Sequence, residues 1–152
     1  MKVKPVTGAG LDAALARLAD RLRAVGHGPT ALRERLGVCL PDDIGLLNHA
    51  PACERLRGDR SAAAAAIRLF YLEGEEPAVG LRGLLSPAEQ AVLAQAGLLA
   101  RRAGRVRARL RIDAYGERYL LADRRFRAPD LAALRLPRGD MVYPPGSDSI
   151  NG

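Results

Sequence analysis

The residues best placed to do chemistry are arginines. In Arg105-Val106-Arg107-Ala108-Arg109-Leu110-Arg111-Ile112-Asp113 the apolar Val106, Ala108, Leu110 and Ile112 alternate with Arg105, Arg107, Arg109 and Arg111. That is the period of a half-buried strand, and it predicts four guanidinium groups on one open face. Such a row can track a phosphate backbone, because each guanidinium that displaces a condensed counterion favours binding and makes it salt-dependent. Two other readings stand beside this one: a solvated face whose charges keep the edge from pairing with other chains, and a face that docks on an acidic catalytic domain. Arg118 follows on the returning strand. Tyr115, at the intervening turn, either stacks on a base or covers a core.

The charge is local. Of 24 Lys and Arg residues against 17 Asp and Glu, ten arginines lie between Arg101 and Arg127, opposed only by Asp113, Glu117 and Asp123. The rest of the chain is balanced, so the excess of +7 belongs to this segment. Only Lys2 and Lys4 are lysines. A GC-rich coding bias supplies arginine without any function, whereas the clustering needs a physical reason.

Other chemistry is thin. His27, His49, Cys39 and Cys53 have no zinc-finger spacing. His49 lacks a carboxylate at a diagnostic spacing and reads as an ordinary polar residue. The cysteines read as small buried residues, since neither adjoins a basic cluster that would activate a thiolate. Gly8-Ala9-Gly10 has no strand before it and no third glycine at the required offset, so it reads as a turn. Glu75 and Glu76 read as a solvated turn rather than a metal site. The amino terminus, Met1 to Pro5, lacks the apolar core of a secretory signal, and no apolar run approaches about 18 residues. The expectation is a cytoplasmic location with no membrane partner. The 152 residues, 48% of them apolar and 27% charged, leave room for one compact domain or two very small ones.

The elements that must position the arginines are mostly helices. Leu11, Ala14, Leu15, Leu18, Leu22 and Val25 mark an amphipathic helix ended by Gly26, and Pro29 to Leu36 a second ended by Gly37. Val38 to Arg60 is the least legible stretch, with a turn capped by Asp42 and Asp43 and another opened by Pro51. Ser61 caps a helix through Ala62 to Ala66 and on to Leu72, with Gly74 as its stop. Pro77 starts a short helix toward Leu85. Ser86-Pro87-Ala88-Glu89 is a capping box opening a third helix, Pro87 to Ala96. Leu98 to Ala100 adds a small strand before Gly104, and Arg105 to Asp113 pairs with Arg118 to Asp123 in a hairpin.

The fold class is α+β, mainly α. A helical extension over 1–60 precedes a winged helix-turn-helix-like unit over 61–127 whose wing is the basic β-hairpin. Residues 128–152 form a Pro-containing linker with one short helix, Pro129 to Leu134. The third helix offers Glu89, Gln90 and Gln95 but no Arg or Lys, which argues against base reading in a major groove.

Ala66-Ile67-Arg68-Leu69-Phe70-Tyr71-Leu72-Glu73-Gly74, then Ala96-Gly97-Leu98-Leu99, Arg105 to Leu110 and Asp113-Ala114-Tyr115-Gly116 resemble the amino-terminal domain of class I S-adenosylmethionine-dependent methyltransferases. The resemblance covers roughly Leu11 to Ser149. It implies a winged-helix-like domain ahead of a Rossmann-like catalytic domain, which would be its partner. Asp140 to Ser149 is similar to the segment before the first catalytic strand, so Tyr143, Pro144, Pro145, Ser147 and Asp148 are the implied contacts to S-adenosylmethionine. The family's Asp/Glu-x-Gly-x-Gly loop would follow Ser149, and Tyr143-Pro144-Pro145 does not have the order of an N-P-P-Y-type motif. The chain by itself is therefore expected to be inactive: a fragment or stand-alone relative that holds an anionic substrate, RNA or a ribonucleoprotein, through Arg105, Arg107, Arg109, Arg111, Arg118 and Tyr115. The alternatives are a free-standing winged-helix nucleic-acid-binding or regulatory protein and a structural interaction domain.

Overall fold

The computed structural model describes residues 8–38, 44–45 and 48–124. Three helices come first, α1 (Gly8–Ala24), α2 (Pro29–Leu36) and α3 (His49–Arg55). Ala14, Leu18 and Leu22 are buried on α1, a four-residue spacing that puts them on one stripe. Gly37 ends α2 in a left-handed conformation and returns its N–H to Arg33 O, the cap its sequence position predicts. Helix α3 starts two residues before Pro51, which sits in the first turn, where a missing N–H costs nothing. The expected turn at Asp42 and Asp43 and the linker helix at Pro129 lie outside the described residues.

Helix α4 (Ala62–Ala66) is capped by the Ser61 hydroxyl, which accepts from the Ala64 N–H at 3.2 Å. It then widens into a π-helical turn, Ile67–Tyr71, closed by the Leu72 N–H on Ile67 O at 2.8 Å. The segment is buried on both sides. Ala65, Ala66, Leu69 and Phe70 face a core with Leu18, Leu22, Leu93 and Val106, while Ala64, Ile67, Tyr71 and Leu72 face a second with Leu32, Leu36 and Leu56.

Glu75–Pro77 forms β1, and the helix expected to start at Pro77 is reduced to one 3-10 turn, Ala78–Leu81. Proline cannot donate to a ladder, and at the end of an edge strand it does not have to. Helix α5 (Pro87–Gln95) follows with the expected capping box. The Ser86 N–H donates to Glu89 Oε2 at 2.7 Å and the Glu89 N–H to Ser86 Oγ at 3.3 Å. Strands β2 (Leu99–Arg102) and β3 (Arg105–Ala108) complete a three-stranded sheet in the order β1-β3-β2, all antiparallel. Strands β4 (Leu110–Tyr115) and β5 (Arg118–Asp123) make a separate two-stranded ribbon. The protein is α+β and mainly helical.

The single strand expected from Arg105 to Asp113 is therefore two strands in two sheets. The chain breaks at Arg109, whose N–H donates to Leu98 O at 2.9 Å. Residues 105–108 pair with β2 across the Ala103–Gly104 turn, and only Leu110 onward pairs with Arg118–Asp123.

Glu89 also clasps α1 to α5, accepting from Arg17 Nε at 2.6 Å and from Arg21. Arg21 first, with the Ser86 N–H and Arg17, holds its pKa down to about 2, against the opposing effect of burial. A depressed carboxylate pKa adds stability above the ordinary value of 4.5 that is lost as pH falls toward 2. Glu89→Ala loses the cap and the clasp together and should cost about 2 kcal/mol at neutral pH, measured by urea unfolding. Glu89→Gln should flatten the stability profile between pH 5 and pH 3, with both pH values set by about the ordinary carboxylate range.

Candidate functional site

Opposed residues on neighbouring strands project from the same side of a sheet. Leu99, Val106, Ala108 and Glu76 take the core side of β1-β3-β2, where all four are buried. Arg102, Arg105, Arg107 and Glu75 share the other side. The alternation thus holds for Arg105 and Arg107 on an open face. Arg105 is exposed and held by Glu75, through Nε to Oε2 at 3.2 Å and a second bond to Glu75 O at 3.0 Å. Arg107 is half-buried, and its Nε has no hydrogen-bond partner among the described residues.

Arg111 is not on that face. Its side chain is fully buried, Nε donates to both Asp113 oxygens at 2.8 and 2.9 Å, and the guanidinium lies 4.6 Å from the centre of the Tyr71 ring. The alternation keeps its phase across the break at Arg109, but β4 is covered on both sides, with Ile112 in the core and Arg111 over the π turn. The expected substrate contact is a buried ion pair.

Arg101, Arg102, Arg109 and Arg118 are exposed and have no ion pair among the described residues. Arg101 and Arg102 precede the Ala103–Gly104 turn, where both residues have positive φ. This conformation matches the twist of a two-residue hairpin, and glycine adopts it without the Cβ penalty that Ala103 carries. Tyr115 is 42% exposed and directly opposes Arg118 at the end of the ribbon. Arg124 is drawn inward by Glu73, whose buried carboxylate lies 3.3 Å from its Nε; burial and the nearby Arg107 lower its pKa. Arg125, Arg127 and the implied cofactor contacts Tyr143, Pro144, Pro145, Ser147 and Asp148 lie outside the described residues.

The glutamate pair is split rather than forming one solvated turn. Glu75 is exposed with Arg105, while Glu76 is buried against Arg68, which also donates to Leu56 O and Asp59 O at 2.7 Å each.

Both histidines do more than the sequence suggests. The His49 Nε2–H donates to Leu72 O at 2.7 Å, and Cys53 Sγ lies 3.8 Å from its Nδ1, one helical turn on. The Cys53 thiol leads the interactions that raise the His49 pKa, against burial. The four-residue spacing was the available signal. His27 is buried and donates Nε2–H to Ile112 O at 3.2 Å. It adjoins an open cleft of about 670 Å³ with Arg23, Thr30, Glu117 and Tyr119 on its walls.

Burial lowers the His27 pKa below 6.5, so the folded state resists its protonation. Its contribution to stability is complete above the unfolded value and falls away as pH drops through the lower folded value. Unfolding free energy should therefore decline from pH 7 to pH 5, a window set by the ordinary histidine value of about 6.5. His27→Gln should reduce that decline in urea titrations at the two pH values.

Among the described residues no helix is long and apolar enough to cross a membrane. Comparison with protein-family models, curated proteins and solved structures finds no match to this chain.

Proposed function

We propose that the chain is the non-catalytic substrate-recognition domain of a cytoplasmic, S-adenosylmethionine-dependent methyltransferase, holding RNA or a ribonucleoprotein component for a partner catalytic domain. The observation that carries this reading is the set of four exposed arginines, Arg101, Arg102, Arg109 and Arg118, with no carboxylate to neutralise them among the described residues. Arg105 of the same segment differs, because Glu75 already neutralises it. Unneutralised guanidinium groups instead favour a polyanion that supplies the missing charge.

The order α4, β1, 3-10 turn, α5, β2, β3, with the sheet ordered β1-β3-β2, supports a winged-helix unit. Its wing is then the β2–β3 turn rather than the β4–β5 hairpin. Helix α5 is unsuited to reading base edges. Glu89 is engaged by α1, and the buried Gln90 amide donates to Ala78 O and Leu85 O at 3.1 Å each. Recognition falls to the backbone, and the contribution to methyl transfer is positioning of the acceptor. The expected S-adenosylmethionine contacts lie outside the described residues, and this reading assigns the transfer step to the partner catalytic domain.

The same arginines would serve a free-standing winged-helix nucleic-acid-binding protein, the second reading. The test common to both is fluorescence anisotropy with a labelled 20-nucleotide RNA. Binding should weaken steeply as salt rises, by well over tenfold between 50 and 200 mM for about four phosphate contacts. Absent or salt-insensitive binding overturns both. Calorimetry with S-adenosylmethionine should show no specific heat with this chain, and a micromolar site would contradict the division of labour.

A further inference from the structure

The β4–β5 ribbon ends in a tip with its own chemistry. Tyr115 and Arg118 are directly opposed around Gly116–Glu117, and Asp113 and Leu120 are the next pair on that side. Asp113 is buried beneath Arg111, but Leu120 is 38% exposed and Tyr115 42%. One side of the tip therefore presents a phenol ring, an aliphatic side chain and an exposed guanidinium. Tyr115 belongs to neither core, unlike Tyr71, which is 1% exposed and packs in the second. Its hydroxyl has no hydrogen-bond partner among the described residues. Covering a core does not account for this ring.

An open aromatic face beside an unneutralised cation suits a base stacked on the ring with its phosphate against the guanidinium. A continuous duplex cannot supply that base, because its faces are already stacked and its edges alone are open to the grooves. We propose that the β4–β5 tip is a stacking subsite for an unpaired nucleobase, so that the polyanion recognised is a single strand or a loop and not a continuous duplex. The inference rests on the reading of the chain as a polyanion-binding domain and adds to it the class of substrate.

The test is anisotropy on the full chain with three probes of equal length: a single-stranded RNA, the same sequence as a duplex, and an abasic strand that keeps the phosphates. Wild type should bind the single strand most tightly. Tyr115→Ala should weaken single-strand binding about tenfold, leaving the salt slope and the abasic affinity unchanged. Tyr115→Phe should bind like wild type, since it keeps the ring, and an unshifted thermal melt verifies that Tyr115→Ala is folded. Tyr115→Ala matching wild type on the single strand, or a duplex bound as tightly as the single strand, overturns the stacking subsite but leaves the polyanion reading intact if Arg101→Ala/Arg102→Ala weakens all three probes. If wild type binds none of the probes, both the subsite and the polyanion reading fall.

Discussion

Arg111→Ala is expected to destabilise the fold by about 3–5 kcal/mol, the largest effect of any single substitution considered for this chain. Arg111 and Asp113 are 0% and 3% exposed, so truncation strands a carboxylate in the interior and removes the cation from the Tyr71 ring. The loss reflects the uncompensated charge more than the net worth of the pair. Replacing both partners, Arg111→Met with Asp113→Leu, should therefore recover most of it, because two desolvated charges are exchanged for apolar packing. Urea unfolding at neutral pH measures all three proteins. If Arg111 faced solvent, as the uninterrupted alternation implies, Arg111→Ala would change stability by no more than about 0.5 kcal/mol.

What was legible in the sequence depended on the range of the signal. The caps at Ser61 and Ser86 and the stop at Gly37 are local hydrogen-bond patterns spanning three or four residues, and the structure has each of them in place. The π turn has no such local signature, and the segment that carries it lies between two cores, one of them built from α2 and α3. Strand β1 is three residues long and pairs with a partner thirty residues away, which no short-range pattern reveals.

The basic segment shows both sides of this. Period-two alternation correctly placed Val106 and Ala108 inside and Arg105 and Arg107 on the opposite side, then ran unbroken through Arg109 in sequence while the chain itself changed sheets. One clue lay in plain view. Arg111 and Asp113 are opposite charges two apart on a strand, hence on one face and able to neutralise each other. The four arginines that did emerge exposed and unpaired include two, Arg101 and Arg102, that the strand pattern did not single out. Their placement follows from the β2–β3 turn.

The second large effect concerns those four. Replacing Arg101, Arg102, Arg109 and Arg118 together by alanine removes four candidate phosphate contacts while touching no ion pair among the described residues, so the thermal melt should barely move. For a single strand each lost contact takes about 0.7 from the slope of log affinity against log salt, so the slope should fall by about 3. Between 50 and 200 mM salt the wild type should then lose roughly 50-fold more affinity than the variant. Restoring Arg101 and Arg102 should return about half of the slope. Arg105→Ala should matter less, because Glu75 already neutralises that guanidinium.

The most direct measurement is thus the salt dependence of RNA binding by wild type and by this fourfold variant, read by anisotropy on folded protein. A steep wild-type slope that becomes shallower by about 3 in the variant is the expected result. Equal slopes for the two proteins would contradict it, since the charge would then be bound elsewhere or not at all.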